Sequence, residues 1–262
     1  MATNSMHVAK TGLNAQQRRM QVIANNLANV NTTGFKRERV NFETLLYQVL
    51  RSSGEQTSVD TNLASAFSVG TGVRIVNADK LFNQGSIVST ENALDLAIDG
   101  TGFFQVLLPD GRVAYTRNGT FSRNNEGQVT TSSGYVLQPE LAIPDDALEI
   151  NVSSDGVVSV QLPGEVEAAE VGQLEIAEFQ NRNGLQAIGE SFFVQTPSSG
   201  EPILAAPLEG GFGKIVQGAL ESSNVNVVKE LVDMIETQRA YEVNSKAISS
   251  VDEMLRFISN NL

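Results

Sequence analysis

The sequence predicts an α+β fold in which N- and C-terminal helices pack as a coiled-coil-like layer, with an inserted all-β domain and an extended connector arm. Three observations predict it: helical periodicity at both ends, short β runs separated by turns in the middle, and a polar stretch between the first helix and the β runs. The predicted domains are residues 1–34 with 222–262 (helical), 35–70 (connector) and 71–221 (β-rich).

The C-terminal segment has the longest helical pattern in the chain. Apolar and amide side chains recur in steps of three and four over residues 231–262, and neither Gly nor Pro interrupts residues 227–262. Asn226 is the predicted N-cap. A helix of this length extends about 50 Å, which is too far for one compact domain to cover. The stripe is therefore predicted to be a subunit interface, formed by Leu231, Met234, Tyr241, Ile248, Val251, Leu255 and Ile258.

The N-terminal segment repeats its apolar residues in four-three steps over residues 9–27, which is a heptad pattern. Asn29, Asn31 and Gly34 are predicted to end this helix, with Gly34 as its left-handed cap. Two helices form too thin a layer to bury their own apolar faces, and short amphipathic helices owe most of their stability to packing. Sister subunits are expected to complete the layer. The predicted interface residues of this helix are Leu13, Met20, Ile23 and Leu27.

The connector falls into two parts. Residues 38–50 carry apolar side chains in a helix-like pattern, which predicts a short helix. Residues 51–66 are rich in Ser, Thr, Gly, Asn and Gln and predict an extended arm or a long loop. Long unstructured loops are uncommon inside compact domains, so this arm is either disordered or laid against another subunit, and we expect the contact. The residues that mark the arm are Tyr47, Arg51, Gly54 and Asn62.

The middle of the chain is predicted to be a meander of short antiparallel strands. Turn dipeptides that end in Gly recur every seven to eleven residues between residues 99 and 134. A second set of β runs covers residues 149–195. This block is large enough to bury a core of its own.

Charge and composition exclude several classes of protein. Residues 1–51 hold seven Lys and Arg against two acids, whereas residues 52–221 hold seven against twenty-two, and the net charge is −12. An acidic chain with a pI near 4.6 is a poor partner for nucleic acid. The absence of cysteine excludes disulfides, thiolate metal sites and cysteine nucleophiles. No apolar run approaches a membrane span, and the first twenty residues lack the apolar core of a cleavable secretion signal.

The sequence offers no convincing catalytic, cofactor-binding or metal-binding residues. The single histidine, His7, lies in the N-terminal segment, away from the β block, so neither a Ser/His/Asp arrangement nor a His-rich metal site is expected there. The glycines at residues 70–72, 100–102 and 209–213 lack the partners of a dinucleotide or phosphate loop and are assigned to turns. We therefore expect a protein that is not an enzyme.

Two alternatives from other classes stay open on the residues alone. One is a wall-degrading enzyme that uses paired carboxylates such as Asp95 with Asp99, or Asp145 with Asp146. The other is a monomeric binding module. An enzyme would turn over peptidoglycan, and a binding module would stay monomeric with ordered helices.

Three blocks of the sequence resemble the bacterial flagellar rod and hook proteins. Residues 24–37 resemble the N-terminal signature of that family, residues 99–138 its central block and residues 223–247 its C-terminal helix. Residues 47–64 resemble the distal-rod branch, with proximal rod and hook proteins as alternatives. The motif residues carried over are Asn25, Asn26, Leu27, Asn29, Gly34, Phe35 and Lys36.

The resemblance implies a structural subunit without cofactors that polymerises with itself into a rigid hollow shaft. The implied partners are the proximal rod protein below, the hook protein above, the surrounding peptidoglycan and outer-membrane ring proteins, and the flagellar export apparatus. The implied location is the basal body, where the rod crosses the periplasm after export without signal cleavage. The terminal helices would form the inner tube and the β domain an outer sleeve.

Overall fold

The chain forms two compact units. The structure, a computed structural model, describes residues 2–53, 56–58, 61–62, 64–164 and 168–260. Unit 1 consists of Met1–Leu27, Glu38–Asp79 and Asn226–Leu262, and unit 2 of Ala28–Arg37 and Lys80–Val225. Residues 38–79 thus lie in the same unit as the two helices, a grouping that the sequence did not indicate. The α+β class is confirmed.

Both predicted terminal helices are present in unit 1, as α1 (Ala2–Ala28) and α2 (Val227–Asn260). Asn226 caps α2 as predicted, because its Oδ1 accepts a hydrogen bond from the Lys229 N–H at 3.0 Å. Its carbonyl accepts the Glu230 N–H at the same distance of 3.0 Å, which starts the helical ladder. No helix in the described part of the chain is long and apolar enough to cross a membrane.

The short helix predicted for residues 38–50 is wrong. These residues form β1 (Glu38–Thr44) and most of β2 (Tyr47–Arg51). A short apolar run fits a helix and a strand equally well, and here the neighbouring strands decide. The remaining strands of unit 1 are β3 (Gln56–Ser58), β4 (Thr61–Asn62), β5 (Phe67–Gly70) and β6 (Val73–Lys80).

The strands of unit 1 pair in three two-stranded sheets. β1 pairs with β6, β2 with β5 and β3 with β4. β2 to β5 follow one another, and the β3–β4 pair lies within the sequence between β2 and β5, so the described residues of these strands form two nested antiparallel pairs. We call these two pairs the arm hairpin.

Unit 2 is built almost entirely of strands. They are β7 (Ile87–Ser89), β8 (Leu96–Asp99), β9 (Phe104–Leu107), β10 (Val113–Thr116), β11 (Phe121–Arg123), β12 (Val129–Thr131), β13 (Val136–Gln138), β14 (Glu149–Val152), β15 (Val157–Gln161), β16 (Ala169–Gln173), β17 (Ile176–Glu178), β18 (Gln186–Gly189), β19 (Phe192–Val194), β20 (Ile203–Ala205), β21 (Lys214–Gln217) and β22 (Ala219–Glu221). A short 3₁₀ helix covers Arg182–Gly184.

The largest sheet of unit 2 is not a simple meander. Its seven strands lie in the order β11-β12-β13-β9-β10-β19-β18. In a simple meander β10 would pair with β11, whereas here β10 pairs with β19 and β13 pairs with β9. Turn spacing along the chain indicates where strands end but not which strands become neighbours. The prediction of a core within the β block is confirmed by a large buried apolar cluster that includes Phe104, Val106, Leu137 and Ile176.

A second buried cluster of unit 2 is aromatic. Phe103, Tyr115, Phe179 and Phe193 are all buried, and their rings meet edge to face. Such pairs contribute roughly 0.5–1.5 kcal/mol each beyond their buried area. The two clusters show that unit 2 has an apolar core of its own.

Candidate assembly surface

The two helices of unit 1 are joined by a buried polar contact at Asn26. The Asn26 side chain is buried, and its Nδ2 donates to the Glu38 carbonyl at 2.9 Å and to Glu230 Oε2 at 3.1 Å. Its Oδ1 accepts the Glu38 N–H at 2.9 Å. The motif asparagine therefore ties together the end of α1, the start of β1 and the first turn of α2.

Two further contacts follow along the helices. Arg19 Nη2 lies 3.3 Å from Asp233 Oδ1. Nearer the start of α1, Gly12 lies close to the side chain of Asn244. A Cβ added at position 12 would be 3.2 Å from the Asn244 amide nitrogen. The residue numbers of the α2 partners rise from 230 to 244 while those of α1 fall from 26 to 12. The two helices therefore run antiparallel. The small residue at position 12 allows the close approach.

The predicted interface residues are only partly covered within the chain. Ile23 is buried and Leu231 and Tyr241 are exposed, while the side chain of Ile258 lies outside the described residues. The half-buried ones are Leu13, Met20, Leu27, Met234, Ile248, Val251 and Leu255.

Near its start, α2 turns polar residues inwards. Glu230 and Thr237 are fully buried, although neither belongs to the predicted stripe. Thr237 Oγ1 donates to the Asp233 carbonyl at 2.6 Å, and Glu230 accepts from Asn26. Glu230 thus has its polar partner on α1, whereas Thr237 is satisfied within its own helix.

A second apolar face of α2 was not predicted from the sequence. Val228 and Val243 are 70% and 66% exposed, and Val232, Ile235 and Met254 are each more than half exposed. Positions 228, 232 and 235 are spaced by four and three, so they share one side of the helix. The same spacing rule could have found them in the sequence. We call Val228, Val232 and Ile235 the outer face of α2.

The last three motif residues lie in unit 2. Gly34 has a φ of 68°, and a Cβ there would lie 2.5 Å from the backbone nitrogen of Asn118. Because α1 already ends at Ala28, the prediction that Gly34 caps this helix is wrong. Glycine is required by the close backbone approach. The Lys80 ammonium lies over the face of the Phe35 ring, 5.2 Å from the ring centre.

Lys36 is part of a fully buried charge cluster. Its Nζ lies 2.6 Å from Glu221 Oε1 and donates to the Asn83 carbonyl at 2.9 Å. Arg117 donates to the Ile98 carbonyl at 3.1 Å and lies 3.5 Å from Glu221 Oε2. Burial lowers the pKa of the Lys36 ammonium and of the Arg117 guanidinium, and the Glu221 carboxylate opposes both shifts.

The charge cluster anchors the two chain segments that precede β1 and α2. Lys36 belongs to the first segment, and Glu221 ends the strand before the second. Nearby, Asn224 Oδ1 accepts the Arg37 N–H at 2.7 Å, and its Nδ2 donates to the Leu81 carbonyl at 2.7 Å. The roles of Arg117, Glu221 and Asn224 were not predicted from the sequence. Their partners are too distant in sequence to leave a local signal.

The arm residues lie where the chain forms the arm hairpin. Tyr47 and Arg51 belong to β2, and both are exposed. Asn62 belongs to β4, but its side chain and all of Gly54 lie outside the described residues. Whether the hairpin is laid against another subunit stays a prediction. Among the described residues, no cluster of His, Asp and Glu has the arrangement of a metal site.

Three family models match the chain. They are the flagella basal body rod protein (residues 6–36), the flagellar hook protein FlgE/F/G D1 domain (residues 97–160) and the flagellar basal body rod FlgEFG protein C-terminal (residues 216–262). Together they cover most of α1, all of α2 and five of the seven strands of the largest sheet of unit 2, β9 to β13.

Similar proteins match over nearly the whole chain. The flagellar basal-body rod protein FlgG of Buchnera aphidicola subsp. Schizaphis graminum is 49% identical over 97% of this chain and 98% of its own length. FlgG of Caulobacter vibrioides is 45% identical over the same shares of both chains. FlgF of Caulobacter vibrioides is 31% identical over 97% of this chain and 95% of its own length.

These matches and the fold define a structural protein of the bacterial flagellar basal body, not an enzyme. The chain belongs to the family of flagellar basal-body rod and hook proteins, and within that family it is similar to the rod protein FlgG.

Proposed function

We propose that the chain is the subunit of the distal rod and polymerises into a rigid hollow helical shaft that transmits torque from the motor to the hook. The observation that carries the proposal is a full-length similarity to rod proteins in a chain whose long helix exposes an apolar face. Identity is higher to the relatives named FlgG than to the one named FlgF, which favours the distal rod over a proximal position.

The distribution of charge supports assembly through unit 1. Unit 1 holds ten Lys and Arg against eleven Asp and Glu, whereas unit 2 holds eight against nineteen. Copies that pack closely through a nearly neutral unit avoid the self-repulsion that a strongly acidic unit would cause. The helices α1 and α2 are thus the elements proposed to form the wall of the tube, with the predicted stripe residues and the outer face of α2 in contact with neighbouring copies.

A head-to-tail arrangement of identical subunits need not close, and an open one produces a helical filament. Such a shaft would have the proximal rod below it and the hook above it, with the peptidoglycan and outer-membrane rings around it. The subunit would reach this place through the flagellar export apparatus without signal cleavage and would cross the periplasm as part of the rod. Electron microscopy of the purified protein at high concentration tests the core of the proposal, since a straight hollow fibre is expected.

The first prediction concerns the free subunit. In dilute solution, amides of α1 and α2 are expected to exchange with solvent much faster than those of β9, β10 and β13. The helices leave apolar residues exposed in the single chain, whereas these strands lie in the core of unit 2. Hydrogen exchange read by mass spectrometry measures both regions in one sample. Equal protection of helices and strands before assembly would remove a main support for the polymer.

The second prediction concerns the arm hairpin. Deletion of residues 52–66 is expected to leave unit 2 folded but to make filaments more bendable, because rigid shafts need contacts that do not slide. The persistence length measured from micrographs is the readout. The matched control replaces the same residues with a Gly/Ser stretch of equal length, and it should bend like the deletion. An unchanged persistence length in both variants would mean that the arm makes no contact with neighbours.

A further inference from the structure

The contact positions between α1 and α2 repeat every seven residues on both helices. Position 26 faces position 230 through the Asn26–Glu230 hydrogen bond of 3.1 Å, and position 12 faces position 244 through the close approach of Gly12 to Asn244. The same antiparallel alignment places position 19 opposite 237, and Arg19 reaches Asp233, one helical turn from 237. We call these contact positions the polar seam; its members are Asn26, Arg19 and Gly12 on α1 and Glu230, Thr237 and Asn244 on α2.

The middle of the polar seam is buried although its residues are not apolar. Asn26 is 1% exposed, and Glu230 and Thr237 are fully buried. Between packed helices such a line is normally apolar, and a polar residue there specifies the register and the partner at a cost in stability. The composition of the seam therefore favours a role in specificity.

The apolar stripe residues of the two helices do not distinguish one alignment from another. They also recur every seven residues, as Leu13, Met20 and Leu27 on α1 and as Met234, Tyr241, Ile248 and Leu255 on α2. A slip of seven residues, about 10 Å along the helix axis, restores apolar contacts of the same kind. The apolar contacts alone therefore permit several registers.

The polar seam tolerates neither slip of seven residues. A slip that brings Asn26 opposite Thr237 carries Glu230 beyond Ala28, where α1 ends, and away from the Asn26 amide. The opposite slip carries Asn26 past Val227, the first residue of α2. In both cases a buried polar side chain loses its partner on the facing helix, which is strongly unfavourable for a carboxylate.

We propose that the polar seam fixes the register of α1 on α2 within each chain, so that one antiparallel alignment is selected over those slipped by seven residues. Asn26 and Glu230 are its positioning residues. The inference rests on the proposed function, because a shaft built from identical copies requires the same helix alignment in every copy. It adds the feature that selects this alignment, which is a set of buried polar contacts and not the apolar stripe.

Disulfide trapping measures the register, because the chain has no cysteine of its own. A Cβ at position 12 would lie 3.4 Å from the Asn244 Cγ, so a Gly12→Cys, Asn244→Cys chain can form a bridge in the register of the structure. A Gly12→Cys, Val251→Cys chain can form one only after a slip of seven residues. Both full-length variants are assembled, oxidised and run on a non-reducing gel. We expect bridged monomers from the first variant and none from the second.

Glu230→Met, added to both cysteine pairs, tests the seam itself. It removes the carboxylate that a slip would leave unpaired, and we expect the ratio of native to slipped bridges to fall about tenfold. The helix content, read by infrared spectroscopy of the same filaments, should stay unchanged, because apolar side chains often replace buried ionic groups without loss of stability. The matched control is Glu236→Met, which removes an exposed carboxylate from the same helix. It should change neither quantity.

Three results would overturn the inference. An unchanged bridge ratio in Glu230→Met, with or without a loss of helix content, would show that Glu230 does not fix the register. Equal bridging of the two cysteine pairs with Glu230 in place would show that no register is preferred. Bridged dimers from the first pair would show that α1 lies on α2 of another copy. If the protein without substitutions forms no filaments, the proposed function fails, while the bridge ratio of the free subunit still tests the seam.

Discussion

Replacement of Ile235 by Asp is expected to abolish filament formation while thermal unfolding of unit 2 stays unchanged. Ile235 lies on the outer face of α2, where neighbouring copies are proposed to pack. The lost burial of an Ile side chain costs about 1.5–3 kcal/mol, and an unpaired buried carboxylate adds several more. The cost recurs in every copy of the polymer. Sedimentation and electron microscopy measure assembly, and calorimetry measures the unfolding of unit 2, which does not contain this residue.

The matched control for this variant is Glu236→Gln, at the next position of the same helix. Glu236 is exposed, and single exposed charges contribute little to stability. Its filaments should match those of the unaltered protein in number and length. If Ile235→Asp also assembles normally, the outer face of α2 is not a subunit interface.

Replacement of Glu221 by Gln is expected to destabilise unit 2 by about 3–5 kcal/mol, because it leaves the buried Lys36 and Arg117 without their carboxylate. The urea unfolding of unit 2, followed in the full chain by tyrosine fluorescence, measures the effect. The Tyr115 ring lies in the aromatic cluster of this unit and reports on its packing.

Two further variants make the Glu221 experiment specific. Asp110→Asn removes the carboxylate of an exposed ion pair with Arg112 and should not change the unfolding midpoint measurably. The double variant Lys36→Met, Glu221→Gln should recover part of the lost stability, because it removes one of the two buried cations that no longer face a carboxylate. A Glu221→Gln midpoint equal to that of Asp110→Asn would mean that the cluster does not stabilise unit 2.

The sequence predicted the elements whose signals are local. The periodicity of residues 9–27 and 231–262, with Asn226 as a cap, was sufficient to predict both helices. Regularly spaced turn glycines predicted the β block. The family motifs indicated the class of protein, and the comparisons confirm it.

The sequence failed where a residue's role depends on a distant partner. Residues 38–50 were predicted as a helix because a short apolar run is ambiguous until its strand partner in β5 or β6 is known. Gly34 was assigned to a helix cap, which is the usual role of such a glycine, but the backbone of Asn118 decides its conformation. The inward turn of Glu230 depends on Asn26, which lies near the other end of the chain.

The sequence by itself determined the α+β class, the two long helices and the family of this protein, because periodicity, capping and motif spacing are properties of neighbouring residues. Only the tertiary structure decided the strand order of unit 2, the Lys36–Glu221–Arg117 cluster and the alignment of α1 with α2. Lys36 and Glu221 are 185 residues apart, and their pairing follows from the path of the whole chain. Burial and charge pairing at such separations are set by packing, for which a single sequence carries no periodic signal.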